Sequence, residues 1–214
     1  MANYIFLGGG GFALELYSYM EEENMNVLGY YALEESDDLK GVLPWLGDET
    51  KIEEKDLIRD AEYIIAARLT KVRKKMIEFI EKNNLTAGTY ISREAYISKT
   101  VKLGEGAVIY PRAMLTGNAD IGNYIFMDAL SIVSHGDVIG KNVVLGPAVT
   151  ICGDCYIGDN CTFGVNSAVL PGSKIGANTE VAIGTFPGRK VSENSVIISQ
   201  PGKNFGKGIN KNFN

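Results

Sequence analysis

The chain has 214 residues, 45% of them hydrophobic and 22% charged, with a formal net charge of −5 and a pI near 5.1. This is material for one or two globular domains with a sizeable core. It holds no surplus of Lys and Arg for a nucleic-acid backbone and no apolar run of membrane-spanning length, so neither nucleic acid nor a bilayer is an expected partner.

Met1-Ala2-Asn3-Tyr4 lacks the basic start and long apolar core of a signal peptide, and a cytoplasmic location is the expectation. Asn3 to Leu7 predicts a strand that runs into Gly8-Gly9-Gly10-Gly11-Phe12-Ala13. Leu14 to Glu23 follows as a helix with Leu14, Leu16, Tyr17 and Met20 inward. Val27 to Tyr31 and Ala61 to Ala67 predict two more strands, and Lys71 to Lys82 a helix with Val72, Met76, Phe79 and Ile80 as its apolar face. Alternating β and α elements imply a small α/β domain over residues 1–88, Rossmann-like with a parallel sheet. The Gly-x-Gly-x-x-Ala turn suits a phosphate, because glycines admit close backbone approach and the helix N-terminus offers free N–H groups. A nucleotide or its diphosphate is the expected ligand of Gly8, Gly10, Gly11 and Phe12. A plain tight turn is the alternative, and a full dinucleotide site would need about twice the length.

From Ile91 to Val181 an apolar residue recurs at every sixth position, and four residues after each stands a mostly small one, from Ala95 to Thr185. A period of six fits neither a helix nor a simple hairpin; it is the signature of a hexapeptide-repeat β-helix. Three repeats close one triangular coil of 18 residues, so residues 89–186 make about five coils, roughly 25 Å tall at the strand spacing. Cys155 and Cys161 occupy the small inward position, so Cys152-Gly-Asp-Cys155 reads as core rather than as half of a zinc or redox pair. Charge divides unevenly: residues 1–90 carry 17 acids and 10 bases, residues 91–214 carry 9 and 11.

His135 is the single histidine. Eighteen residues on lies Gly153 and eighteen before lies Gly117, so the imidazole faces bare backbone on both sides. Neutral imidazole can take a proton from an amine or hydroxyl, and an unshielded glycine N–H one coil away can hold an oxyanion. Base plus oxyanion donor is an acyl-transfer site; a surface histidine without a role is the alternative.

At these residues the sequence resembles a family of bacterial sugar O- and N-acetyltransferases, of the sialic acid O-acetyltransferase and UDP-4-amino-sugar N-acetyltransferase type. The resemblance rests on the glycine turn, on Ser134-His135-Gly136-Asp137-Val138-Ile139-Gly140, and on the coils from Ile157 through Gly164 to Pro171. It implies a left-handed parallel β-helix, acetyl-CoA as co-substrate, a nucleotide-activated sugar as acceptor, and a homotrimer with acetyl-CoA between neighbouring β-helices. By the same resemblance His135 is the general base, Gly153 the oxyanion donor, and Gly153 and Gly164 lie on the acetyl-CoA side. The chain departs from the family in four places. Gly136 stands where a carboxylate normally follows the histidine, with Asp137 as its expected substitute. Asp128 replaces an Asn as an expected acceptor contact. Phe12 and Ala13 replace His-Gly in the glycine turn, and Arg68 lies where the family has a Gly-Asn-Asn segment.

After Val181 the period lapses, and residues 187–214 read as a tail. Arg189, Lys190 and Lys203 are candidates for the coenzyme A phosphates, with a solvated tail as the alternative. A β-helix zinc site needs three histidines and the chain has one, so no metal is expected. A non-catalytic solenoid binding module, or an acyltransferase with another acyl donor, remains the competing reading.

Overall fold

The computed structural model describes residues 2–53 and 57–199. Residues 2–88 build a five-stranded parallel sheet from β1 (Asn3–Leu7), β2 (Asn26–Tyr31), β3 (Trp45–Gly47), β4 (Glu62–Ile65) and β5 (Thr86–Ala87), in the order β3-β2-β1-β4-β5. Helix α1 (Gly11–Glu22) joins β1 to β2, and α2 (Thr70–Lys82) joins β4 to β5. The chain crosses from one side of β1 to the other between β2 and β4. The glycine turn after β1 and the loop after β4 therefore flank one crevice at the carboxyl ends of the strands.

Two short strands, β3 and β5, were not expected from the sequence; two or three residues are too few to show alternation. The buried face of α2 is also rotated from the expected one. It presents Arg73, Met76, Ile77 and Ile80, leaving Val72 exposed, because a second partner beyond the sheet must be covered as well. That partner is the solenoid.

From Tyr90 the chain winds as a parallel β-solenoid of two-residue strands on three faces, holding seven, five and six strands. The first face contains Tyr90–Ile91, Val108–Ile109, Phe126–Met127 and Val144–Leu145; the second Tyr96–Ile97, Met114–Leu115 and Ile132–Val133; the third Lys102–Leu103, Asp120–Ile121, Val138–Ile139 and Tyr156–Ile157. The second residue of each strand points inward, and the core runs from Ile109 to Val181 with Cys155 and Cys161 within it. The lowest rung is less covered, and Ile91 stays 38% exposed, because no coil lies below it. At each corner one residue takes a left-handed backbone, every sixth position from Gly106 to Gly184.

The ladder continues beyond the point where the period lapses. Lys190–Val191 pairs with Lys174–Ile175, and Val196–Ile197 with Glu180–Val181, at 16 residues rather than 18. The last coil has lost the strand that would cross the second face, and with it the register a period-six count needs.

The sheet domain docks on the first face. Outward-pointing Tyr90, Val108, Phe126 and Val144 are buried against Phe6, Ala13, Leu16 and Met20. Arg73 locks the joint: its Nε donates to Asn142 Oδ1 at 2.9 Å, and its terminal nitrogens to the Tyr124 carbonyl at 2.7 Å and the Ala67 carbonyl at 3.0 Å. Glu23 Oε1 accepts from the Arg93 N–H at 2.9 Å, and Lys141 pairs with Glu81 at 2.7 Å.

Candidate functional site

Of the expected site residues on the solenoid, His135, Gly153, Asp128 and Gly164 fall on two neighbouring corners of the prism. The corner between the second and third faces stacks His135, Gly153 and Pro171 one above another, and the side chain of Arg189, from the next and shorter coil, reaches back to it. The Asp154 N–H donates to the His135 carbonyl at 2.9 Å, the Gly172 N–H to the Gly153 carbonyl at 3.0 Å, and the Arg189 guanidinium to the Pro171 carbonyl. Lys190 begins the next strand, exposed on the third face. Lys203 lies outside the described residues.

His135 lies flat on Gly153. A methyl carbon at Gly153 would come within 2.5 Å of Cε1, 2.6 Å of Nε2 and 3.0 Å of Nδ1, so only glycine leaves the ring its place. The Gly153 N–H makes no hydrogen bond among the described residues. The imidazole is 70% exposed, and its Nδ1 lies 3.8 Å from Asp154 Oδ1.

Asp137, expected to orient the ring, is fully buried inside the prism. Its Oδ2 accepts from the Ser134 N–H at 2.9 Å and its Oδ1 from the Cys155 N–H at 2.8 Å. Burial pushes its carboxyl up to about 7, against the opposing pull of those two N–H donors. The structure thus sets Asp137 to holding two coils together and does not bring it to the imidazole.

The adjacent corner, between the first and second faces, carries Asp128 and, two coils up, Gly164. The tip of the crevice in the sheet domain meets it here. Arg68, from the loop after β4, contacts Asp128 Oδ2 at 2.8 Å and Glu15 Oε2 at 3.2 Å, and its guanidinium lies 5.0 Å from the Phe12 ring centre. Phe12 packs edge-on to Phe126 at 4.9 Å and stacks on Tyr110 at 5.6 Å. Asp128 is 2% exposed, and burial, more than its contacts, raises its carboxyl above the ordinary range. Its Oδ2 and the Tyr110 hydroxyl are buried without a hydrogen bond among the described residues, the Arg68 contact being an ion pair. A buried polar atom left unpaired, here the Tyr110 hydroxyl, is costly and marks a place where a ligand group would be welcome. Three departures noted in the sequence, at residues 12, 68 and 128, are therefore one cluster.

Behind it, Gly8, Gly9, Gly10, Leu33, Glu34 and Ser36 line a cleft of about 400 Å³. Gly8 has φ +112° and a side chain there would strike the Ala66 carbonyl, so the turn needs glycine. Helix α1 follows Gly10 with no side-chain cap, and the N–H groups of Gly11 and Phe12 have no acceptor among the described residues.

Sequence comparison points the same way. Residues 138–170 match the family described as bacterial transferase hexapeptide (six repeats). The matched segment lies inside the six-residue ladder that runs from Ile91 to Val181. Among curated proteins the chain is similar to the galactoside O-acetyltransferase of Lactococcus lactis, 26% identical over 63% of this chain and 77% of that one. It is also similar to the bifunctional protein GlmU of Clostridioides difficile, 30% identical over 52% of this chain, but the match spans only 24% of that protein. Among solved structures the same architecture is found, for example, in the following proteins. PerB from Caulobacter crescentus, in complex with CoA and GDP-perosamine, has a TM-score of 0.80 at 23% identity, covering 92% of this chain and 93% of that one. The acetyltransferase domain of PglB from Neisseria gonorrhoeae, in complex with acetyl coenzyme A, reaches 0.82 at 14% identity over 91% and 94%. WeeI from Acinetobacter baumannii reaches 0.81 at 20% identity over 94% and 98%. In these three, the likeness of this chain in fold extends over the sheet domain as well as the solenoid. No helix among its described residues is long and apolar enough to cross a membrane.

Proposed function

We propose that the protein transfers an acetyl group from acetyl-CoA to an amino or hydroxyl group of a nucleotide-activated sugar, for a bacterial surface glycan or glycoprotein. The observation that carries this reading is His135 lying flat on Gly153, with the Arg189 guanidinium reaching the Pro171 carbonyl one coil above Gly153. Nε2 takes the proton of the acceptor N–H or O–H as that nitrogen or oxygen attacks the thioester carbonyl carbon. The Gly153 N–H holds the oxyanion, and the C–S bond then breaks, the coenzyme A sulfur receiving the proton back from the imidazolium. Arg189 and Lys190 meet the cofactor phosphates further along the corner. Relatives of the same architecture that carry acetyl-CoA, or CoA with GDP-perosamine, support the choice of donor and acceptor.

The sheet domain, Rossmann-like in strand order, holds the nucleotide on the glycine turn, with the diphosphate at the N-terminus of α1 and the ribose near Glu34 in the loop after β2. The sugar then reaches Asp128 and the Tyr110 hydroxyl. We take the protein to be cytoplasmic and its solenoid left-handed, and because within one chain the Asp128 corner and the His135 corner are separated by the whole second face, we infer a homotrimer. In it, the sugar corner of one copy meets the His135 corner of the next. The outward residues Tyr96 and Met114 on that face are apolar and exposed, in keeping with contact between copies.

The test follows thiol release from acetyl-CoA with UDP-, GDP- and dTDP-amino sugars. The His135→Ala variant is expected to lose about 10²- to 10⁴-fold in kcat. Turnover that survives this substitution removes the base. A wild-type protein that binds no acetyl-CoA in calorimetry would instead be a binding module.

A further inference from the structure

An imidazole works as a base through one nitrogen only when the other keeps its proton, and an acceptor beside that proton fixes both tautomer and ring orientation. Asp137 cannot be that acceptor, because it lies inside the prism with both oxygens occupied by backbone N–H groups, while the ring lies outside on Gly153. Asp154, one coil above and one residue past Gly153, holds the nearest carboxylate oxygen to His135, 3.8 Å from Nδ1. Its backbone is held over the histidine turn, since its N–H donates to the His135 carbonyl at 2.9 Å and its φ is +61°.

Gly136 shows what space this carboxylate uses. A methyl carbon on Gly136 would come 2.3 Å from Asp154 Oδ1, so a side chain at 136 and the carboxylate of Asp154 compete for one volume beside the ring. Gly136 also has φ +68°, which glycine adopts freely and Asp or Asn more readily than other residues.

We propose that Asp154 is the positioning residue of His135. Its carboxylate accepts the Nδ1 proton and leaves the Nε2 lone pair for the acceptor group, and Gly136 keeps the volume clear. The separation of 3.8 Å is that of an open site, in which such contacts shorten when substrate seats. The kinetic arm of the test rests on the acetyl-transfer reading; the structural arm does not.

Because His135 is the chain's single histidine, the imidazole ¹⁵N resonances of tag-free protein at pH 8 report on it alone. The wild type is expected to show the Nδ1–H tautomer, and Asp154→Ala the Nε2–H form that free imidazole side chains prefer. Adding Gly136→Asp to Asp154→Ala supplies a carboxylate from the other side and is expected to restore the Nδ1–H form. Gly136→Asp alone crowds Asp154 and disturbs the ring. In turnover, Asp154→Ala should lower kcat roughly 10- to 100-fold, the cost of losing a histidine's orienting partner, with KM for acetyl-CoA within about twofold. The double variant should recover most of that loss. An unchanged tautomer in Asp154→Ala, or a double variant no better than the single one, overturns the proposal. A wild type without acetyl transfer overturns the functional reading alone, and the tautomer measurement still decides the role of Asp154.

Discussion

Arg73 is a fully buried cation that donates to three neutral carbonyl oxygens. Burial alone brings its guanidinium down from the ordinary arginine range to about 9, a cost to the charged form of about 5 kcal/mol. Three hydrogen bonds from a charged donor return about 1.5–3 kcal/mol each, so the intact residue stands near balance. Replacement by Met does not. It fills much of the volume but leaves Asn142 Oδ1 and the carbonyls of Ala67 and Tyr124 without their donor inside the joint. Each buried acceptor so stranded costs about 1–3 kcal/mol, part of which the relieved charge burial offsets, and we expect a net loss of about 3–5 kcal/mol.

Urea denaturation measures this, with the chain's one tryptophan, Trp45 on β3, reporting the sheet domain and circular dichroism reporting the whole β structure. With an m value of about 2–3 kcal/mol/M the Arg73→Met midpoint falls by about 1–2 M. The Trp45 transition should also run ahead of the dichroism, because the lost bonds are those that tie the sheet domain to the solenoid. A midpoint within about 0.3 M of wild type, with both probes coincident, would refute this reasoning.

Gly153→Ala places a methyl carbon among three imidazole atoms without straining the backbone, so the ring must swing away. Activity should fall about 100-fold, the scale of an ångström-sized misplacement, while the thermal midpoint stays close to wild type; retained activity would show that the ring need not lie on residue 153. Asp137 gives a pH signature. Its folded carboxyl is raised to about 7 and its unfolded one lies near 3.8, so between about pH 4 and 7 the native state keeps a proton that the unfolded state releases. This contribution is fully present below pH 4 and is lost as pH rises through 7. Asp137→Asn should flatten that slope in urea midpoints taken at pH 4.5, 6 and 8, and an unchanged slope would assign the pH dependence elsewhere.

The inward pattern of the solenoid was legible because burial there depends on position within six residues and on nothing remote. Ile109, Leu115, Ile121 and their successors are buried as the period requires, and Asp137 and Ser167 are buried with them because that register always points inward. The left-handed corner residues were legible in part. Asn and Gly hold many of these positions, but Arg112, Tyr124, Leu130, Ala148 and Asp154 take the same conformation, so composition blurs a signal the backbone states clearly. The docking face had a signal too: Tyr90, Val108, Phe126 and Val144 recur every 18 residues. Tyr96, Met114 and Ile132 on the next face recur in the same way and remain at least partly open, and nothing local tells the two stripes apart.

The sequence by itself determined the solenoid, its core register and the meeting of His135 with Gly153, since a fixed period turns chain distance into spatial neighbourhood. Only the tertiary structure decided which face carries the sheet domain, that Phe12, Arg68 and Asp128 form one cluster, and that Asp154 rather than Asp137 faces the imidazole. Those choices depend on side chains from different elements competing for the same volume, and no local spacing encodes that competition.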